Sequence, residues 1–381
     1  MQRRNHWLDQ IKGLACLLIV CHHLAFYGPM TDVLKPLIPA TLDWFNDYAR
    51  MAVQIFLVLA GYLAAAGLAP DGVAKRHDFL SSIGKRFIRL VVPFVAALSV
   101  TILINEVVRA MGFSHESVSP PPDWDQLLAH LFLLHGIGGW DSLSAGVWYV
   151  AIDFQLYCLA VMWIALSSRF IVRQKPYAEH TETGNRWMNL LQLGVFIMTG
   201  MSLLLWNRNS SLDNWAVYFF GAYGLGMMAW WGGHASTQRA RWLWIFMMAL
   251  IGCVALVIEW RERIALALLT SLLLALGSVF SIPRFLREWR WKPLEFLGQI
   301  SYSIFLIHFS ICLLINAVVS LWWPESITAN AIGVAVAVVC SVAAGYGLFR
   351  WVESRSAGWL NLLHWQAGAM GVGAAAALNL I

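Results

Sequence analysis

Apolar residues fall into ten long runs, near 8–28, 47–68, 87–111, 145–167, 188–206, 214–232, 241–259, 264–282, 296–321 and 328–350. Each is close to the ~20 residues that a helix needs to cross roughly 30 Å of hydrocarbon. The stretches between them are too short to fold as a second domain. The pattern predicts an all-α, polytopic integral membrane protein with about ten transmembrane helices. The first run is too long for the apolar core of a secretory signal, and no small-residue cleavage site follows it. The transmembrane domain is expected over 1–355 and an apolar C-terminal tail over 356–381, either an interfacial helix or disordered chain. One further segment, about 112–144, contains SVSPPPDWDQLLAHLFLLHGIGGWD. The Pro run stops any helix before it. DQLLAHLFLLH has helical spacing and predicts an interfacial or re-entrant helix on the outer face.

Composition agrees with a hydrocarbon setting. The 381 residues are 59% hydrophobic and 12% charged, against roughly 25% charged in a soluble domain. The net charge of +5 is no sign of a nucleic-acid partner, because the cations sort by side. One set of connecting segments holds Arg3, Arg4 and Lys12, then Lys75, Arg76, Lys85, Arg86 and Arg89. It continues with Arg169, Arg173, Lys175, Arg186, Arg239, Arg241, Arg284, Arg287, Arg290, Lys292, Arg350 and Arg355. The opposite set holds Lys35, Arg208, Arg261 and Arg263. The excess marks the cytoplasmic side and puts both termini there. All six cysteines lie in apolar runs without CxxC or zinc-ligand spacing, so no metal and no redox chemistry is expected. Most of the 21 tryptophans, Trp7, Trp187 and Trp322 among them, lie near run ends, as aromatic belts do.

Ionisable residues inside spans are costly and face a bundle interior or a water-filled cavity. His22, His23, Asp153, His308 and Arg50 stand in such positions. At 1.5 Å per residue, His23 lies roughly 22 Å from the inner edge, and Asp153 and His308 roughly 18 Å. Three ionisable groups therefore share a depth and can meet in one buried site. A buried histidine without a fixed anion stays neutral and keeps a nitrogen free to take a proton. A carboxylate on its other nitrogen would fix the tautomer, and Asp153 is the available carboxylate. Adjacent helical residues point about 100° apart, so one of His22 and His23 is the reactive group. Lys12 lies eleven residues before His23 on the same face, near three turns away. A cation at the mouth and a base deep inside suit an extended anionic donor, or Lys12 simply anchors the helix end.

These residues resemble the membrane acyltransferases of the acyltransferase-3 type, which O-acylate bacterial glycans. LDQIKGLACLLIVCHH resembles the first-helix Arg, ten residues, His pattern, with Lys12 in place of Arg before His23. IFLVLAGYL (55–63) resembles the second-helix signature, with Ala60 where Ser is usual. KRFIRLVVP (85–93) resembles the basic RxxR-then-Pro opening of the third helix, through Arg86, Arg89 and Pro93. VWYVAIDFQLY (147–157) resembles W-x-L-x-x-E-x-Q-x-Y, keeping Trp148, Gln155 and Tyr157, with Asp153 for Glu. LGQISYSIFLIH (297–308) resembles LGxxSYxxYLxH, giving Gly298, Ser301, Tyr302 and His308, and FRWVE (349–353) resembles the closing aromatic-and-Glu segment. The resemblance covers about 8–355, without an appended soluble domain, as in the stand-alone form.

The resemblance implies a multi-pass protein of the bacterial inner membrane that takes acetyl from cytoplasmic acetyl-CoA, without a metal. The acceptor is a hydroxyl of an exported polysaccharide or glycan at the periplasmic side, and a polysaccharide synthesis or export complex is an expected partner. The candidate residues then take these roles. His23 is the catalytic general base or a transient acyl carrier, Asp153 orients an imidazole or the acceptor, and His308 is a second acid/base group or binds the acceptor. Lys12, Arg86 and Arg89 bind coenzyme A phosphates. Trp148 and Tyr149 stack on sugar, Gln155 and Tyr157 bind substrate, and Ser301 and Tyr302 donate to the oxyanion. Two other classes compete. A transporter or glycan flippase would use a buried His/Asp relay, although no related halves are visible. A binding subunit of an export complex would not need the histidines.

Overall fold

The computed structural model describes residues 5–74, 78–173, 189–279, 289–378 and 380. Part of the charge-sorting reading rests on Arg3, Arg4, Lys75, Arg76, Lys175, Arg186, Arg284 and Arg287, which lie outside the described residues, as does Trp187. Helices make up the fold, and no strand occurs among the described residues. The chain divides into two compact units. One comprises Met1–Ala52, Phe87–Ala151 and Arg290–Ile381, the other Val53–Arg86 and Ile152–Trp289.

In chain order the helices are α1 (His6–Tyr27), α2 (Pro29–Leu34), α3 (Pro39–Asp47), α4 (Ala52–Leu68), α5 (Phe79–Ala110) and α6 (Trp124–Leu131). Then come α7 (His135–Gly138), α8 (Val147–Arg173), α9 (Leu190–Leu204), α10 (Ala216–His234), α11 (Gln238–Ile258) and α12 (Glu262–Val279). Last are α13 (Lys292–Gln299), α14 (Ser301–Trp322), α15 (Ile327–Leu348), a π-helical turn (Phe349–Glu353) and α16 (Trp359–Ala377). Each of the ten apolar runs holds a long helix, and the run at 296–321 begins with the end of α13 before α14. Nine described segments have the length and hydropathy to cross a membrane. The exception among the ten runs is α10, which is rich in glycine and tryptophan. It has 16 of its 19 residues buried and packs against α9, α11 and α12. A helix enclosed by other helices has no need of a strongly apolar lipid face.

The first unit is built on a close approach between α1 and α13. Asn5 caps α1, its side chain accepting from the Trp7 N–H at 3.1 Å. At the other end Thr31 Oγ1 donates to the Leu24 and Gly28 carbonyls, 2.8 Å each. A Cβ on Gly13 would stand 2.2 Å from the Leu294 carbonyl oxygen, and one on Gly298 1.7 Å from that of Asp9. Backbone meets backbone there, which only glycine permits. Cys16 Sγ, one turn higher, lies 3.5 Å from the Ser301 carbonyl. In the second unit the same device joins α4 to α10: a Cβ on Gly61 would stand 1.9 Å from the Tyr223 carbonyl oxygen, and one on Gly226 1.9 Å from that of Val58.

Three expectations gain detail. Arg50 is exposed, in the short turn Ala49–Met51 that joins α3 to α4 within the candidate span Pro39–Leu68. The tail is helical over Trp359–Ala377. The 112–144 segment forms two short helices, α6 and α7, in which His130 and His135 are fully buried and stacked at 4.1 Å.

Candidate active site

His23 and His308 come together in the first unit. Nδ1 of His23 is 2.7 Å from Nε2 of His308, with the rings 3° from parallel. Nδ1 of His308 is 3.1 Å from the Ile304 carbonyl and 2.9 Å from that of Phe305. Carbonyls only accept, so Nδ1 of His308 carries its proton and Nε2 has the lone pair. His23 must then donate from Nδ1. Its lone pair is therefore on Nε2, for which no hydrogen bond is present among the described residues. A helix backbone, not a carboxylate, thus sets both tautomers. His308 is fully buried, whereas His23 is partly open. His22 turns away, with Nδ1 3.2 Å from the Phe45 carbonyl at α3.

Aromatic rings surround the open nitrogen's side chain. Tyr27, one turn beyond His23, has its ring 5.9 Å away, and Phe309 stands edge-on at 5.7 Å. Tyr149 packs on Phe305 at 5.2 Å, and Phe305 lies 6.1 Å from His308. Sequence reasoning singled out Tyr149 but missed Tyr27, although the i,i+4 spacing from His23 was a usable signal. Trp148 is partly buried beside Tyr149, ring centroids 6.3 Å apart.

Asp153 belongs to the second unit, where its carboxylate has a cationic partner. Asp153 Oδ2 accepts from Arg86 at 2.5 Å, and the same guanidinium lies over the Tyr157 ring at 5.3 Å. Gln155 accepts from the Ala216 N–H at 3.0 Å, holding the start of α10. Asp153 is 4% exposed and its Oδ1 has no hydrogen-bond partner among the described residues. Breaking a buried pair from one side costs about 3–5 kcal/mol, and the partial exposure of Arg86 favours the lower end. Asp153→Asn is expected to lower the thermal unfolding temperature in detergent. The double variant Asp153→Asn/Arg86→Gln should recover most of that loss. Unchanged stability with lost activity would instead assign the carboxylate a chemical role.

The remaining candidates divide. Lys12 pairs with buried Asp9 at 3.4 Å, while Arg89 is exposed. Ser301 and Tyr302 are spent on structure rather than offered to an oxyanion. Ser301 Oγ donates to the Gly298 carbonyl at 2.9 Å, and the Tyr302 hydroxyl to that of Leu90 at 2.8 Å. Glu353, at the π-helical turn, accepts from Ser303 at 2.6 Å. His130 donates from Nδ1 to the Gln126 carbonyl at 2.8 Å and accepts the Leu143 N–H on Nε2 at 3.2 Å. Burial pushes His130 and His135 down to about 4 and about 3, so both are neutral near pH 7. No cluster of three or more potential metal ligands occurs among the described residues.

Compared with known proteins, residues 5–372 match one family model, of acyltransferase-3 type, described as an acyltransferase domain. No curated protein and no solved structure matches the chain.

Proposed function

Since the chain belongs to the acyltransferase-3 family, we propose that it moves an acetyl group from coenzyme A to a hydroxyl of an exported glycan. The observation that carries this reading is the lone pair on His23 Nε2, left open by the His308 contact. His23 removes the proton of the acceptor hydroxyl at Nε2. The hydroxyl oxygen bonds to the thioester carbonyl carbon, the carbon–sulfur bond breaks, and the proton passes from imidazolium to the leaving thiolate. His308 holds the base in the required tautomer and does not itself lose or gain a proton. Arg89 is exposed and is the cation readiest to meet a phosphate of the donor. Lys12 joins it by exchanging Asp9 for phosphate. The donor approaches from the cytoplasm and the acceptor lies at the periplasmic side of a bacterial inner membrane.

The pair also speaks against a proton relay for transport. Beyond His308 the next groups are the carbonyls of its own helix, which do not carry a proton onward. The test is reconstitution in proteoliposomes with acetyl-labelled acetyl-CoA on one side and the host glycan on the other. Base-labile label should appear on the glycan. Glycan uptake without acetylation would overturn the reading in favour of a transporter.

A further inference from the structure

The segment 356–381 holds no Asp, Glu, Lys or Arg, and its helix α16, which is not among the nine segments apolar enough on their own, has 19 residues, enough for about 28 Å. Contacts within the first unit give its course. It follows the π-helical turn, where Glu353 accepts from Ser303 at the start of α14. The start of α14 is tied to the first half of α1 through the Cys16–Ser301 contact. So α16 sets out from the end of the unit where α1 begins. Ten ångströms on, roughly, Gln366 donates to the Leu131 carbonyl of α6 at 3.2 Å. Another two turns on, a Cβ at Gly373 would lie 2.5 Å from Leu127.

α6 hangs from the opposite end. The chain reaches it from the C-terminal end of α5, where Val108 and Phe113 pack against Leu313 and Ala317 in the second half of α14. Ser119 N–H then bonds the Asn105 side chain at 2.8 Å. α16 therefore runs from one end of the unit towards the other. Its buried residues Leu362, Ala369, Gly373 and Ala376 form one stripe, while its outer surface exposes Leu360 and Leu363, with Asn361 and His364 among them in the first two turns and small residues beyond. Interfacial helices pair an apolar face with a strongly charged one; α16 has no charged residue.

We propose that α16 crosses the membrane as an additional span, with its exposed apolar face against lipid hydrocarbon. Residue 380 then lies on the side opposite to the start of α1, so the start of α1 and the end of α16 face different compartments. This does not depend on the reaction catalysed. Sulfhydryl labelling of the full-length protein tests it, using Ser356→Cys and Leu380→Cys in a background whose six native cysteines are replaced. With a membrane-impermeant maleimide, the two positions should label from opposite sides, and both after permeabilisation. Labelling from the same side would overturn the proposal. So would failure of the Leu380→Cys variant to label under either condition, which would leave the helix end inside the bilayer.

Discussion

His23→Ala lowers acetyl transfer about 10²–10⁴-fold, the usual contribution of a positioned general base. The substitution removes the only nitrogen that the His308 contact leaves with an open lone pair. His23 is partly open, so the alanine protein should still fold and elute from size exclusion in detergent as the wild type does. A wild-type rate at equal protein level would exclude the base assignment. Substitutions at His308 separate orientation from chemistry. Glutamine places its amide near the position of Nε2, where its oxygen can accept from His23 Nδ1. Asparagine is too short to do so. His308→Gln should keep a measurable share of the rate, and His308→Asn should fall towards the His23→Ala level. Equal loss in both would show that His308 does more than hold a tautomer.

Gly298→Ala is expected to be nearly as damaging, though it lies far from the reacting atoms. The new methyl would stand 1.7 Å from the Asp9 carbonyl oxygen and 2.4 Å from its carbon. Neither atom belongs to a flexible side chain, so α1 and α13 must part. α13 leads directly into α14 and His308, while α1 carries His23. A bond of 2.7 Å between them does not survive a shift of an ångström. A misplacement of that size costs roughly 10²-fold in rate, and overpacking costs about 1–3 kcal/mol of stability. Gly371→Ala supplies the control, because a Cβ there meets nothing within 4 Å. Comparable activity of the two variants would refute the link between helix approach and histidine register.

The histidine pair was legible because depth along a helix is arithmetic. Residues near 18 and 22 Å from one edge are candidates to touch, and His23 and His308 do. The same arithmetic could not foresee the partner of Asp153. Depth carries no information on direction around the axis, and Asp153 pairs with Arg86. Hydroxyl chemistry was equally hidden. Ser301 and Tyr302 had the right atoms for an oxyanion hole, but their protons go to backbone carbonyls that no sequence pattern marks. The ten helices were visible because apolar length is a property of the chain itself. The contact of α16 with α6 joins segments more than two hundred residues apart, beyond what a local pattern can reveal.

The enclosed helix α10 bears on how the protein is made. Its glycines serve close contact with α4, and its tryptophans donate to the Pro70 and Ala69 carbonyls. Those features favour partners over lipid, so α10 gains little from entering the bilayer alone. Its place depends on α4, already made, and on α11 and α12, not yet made when α10 leaves the ribosome. Assembly of this unit is therefore a late event in biogenesis. The segment that looks least like a membrane helix waits for the ones that follow it.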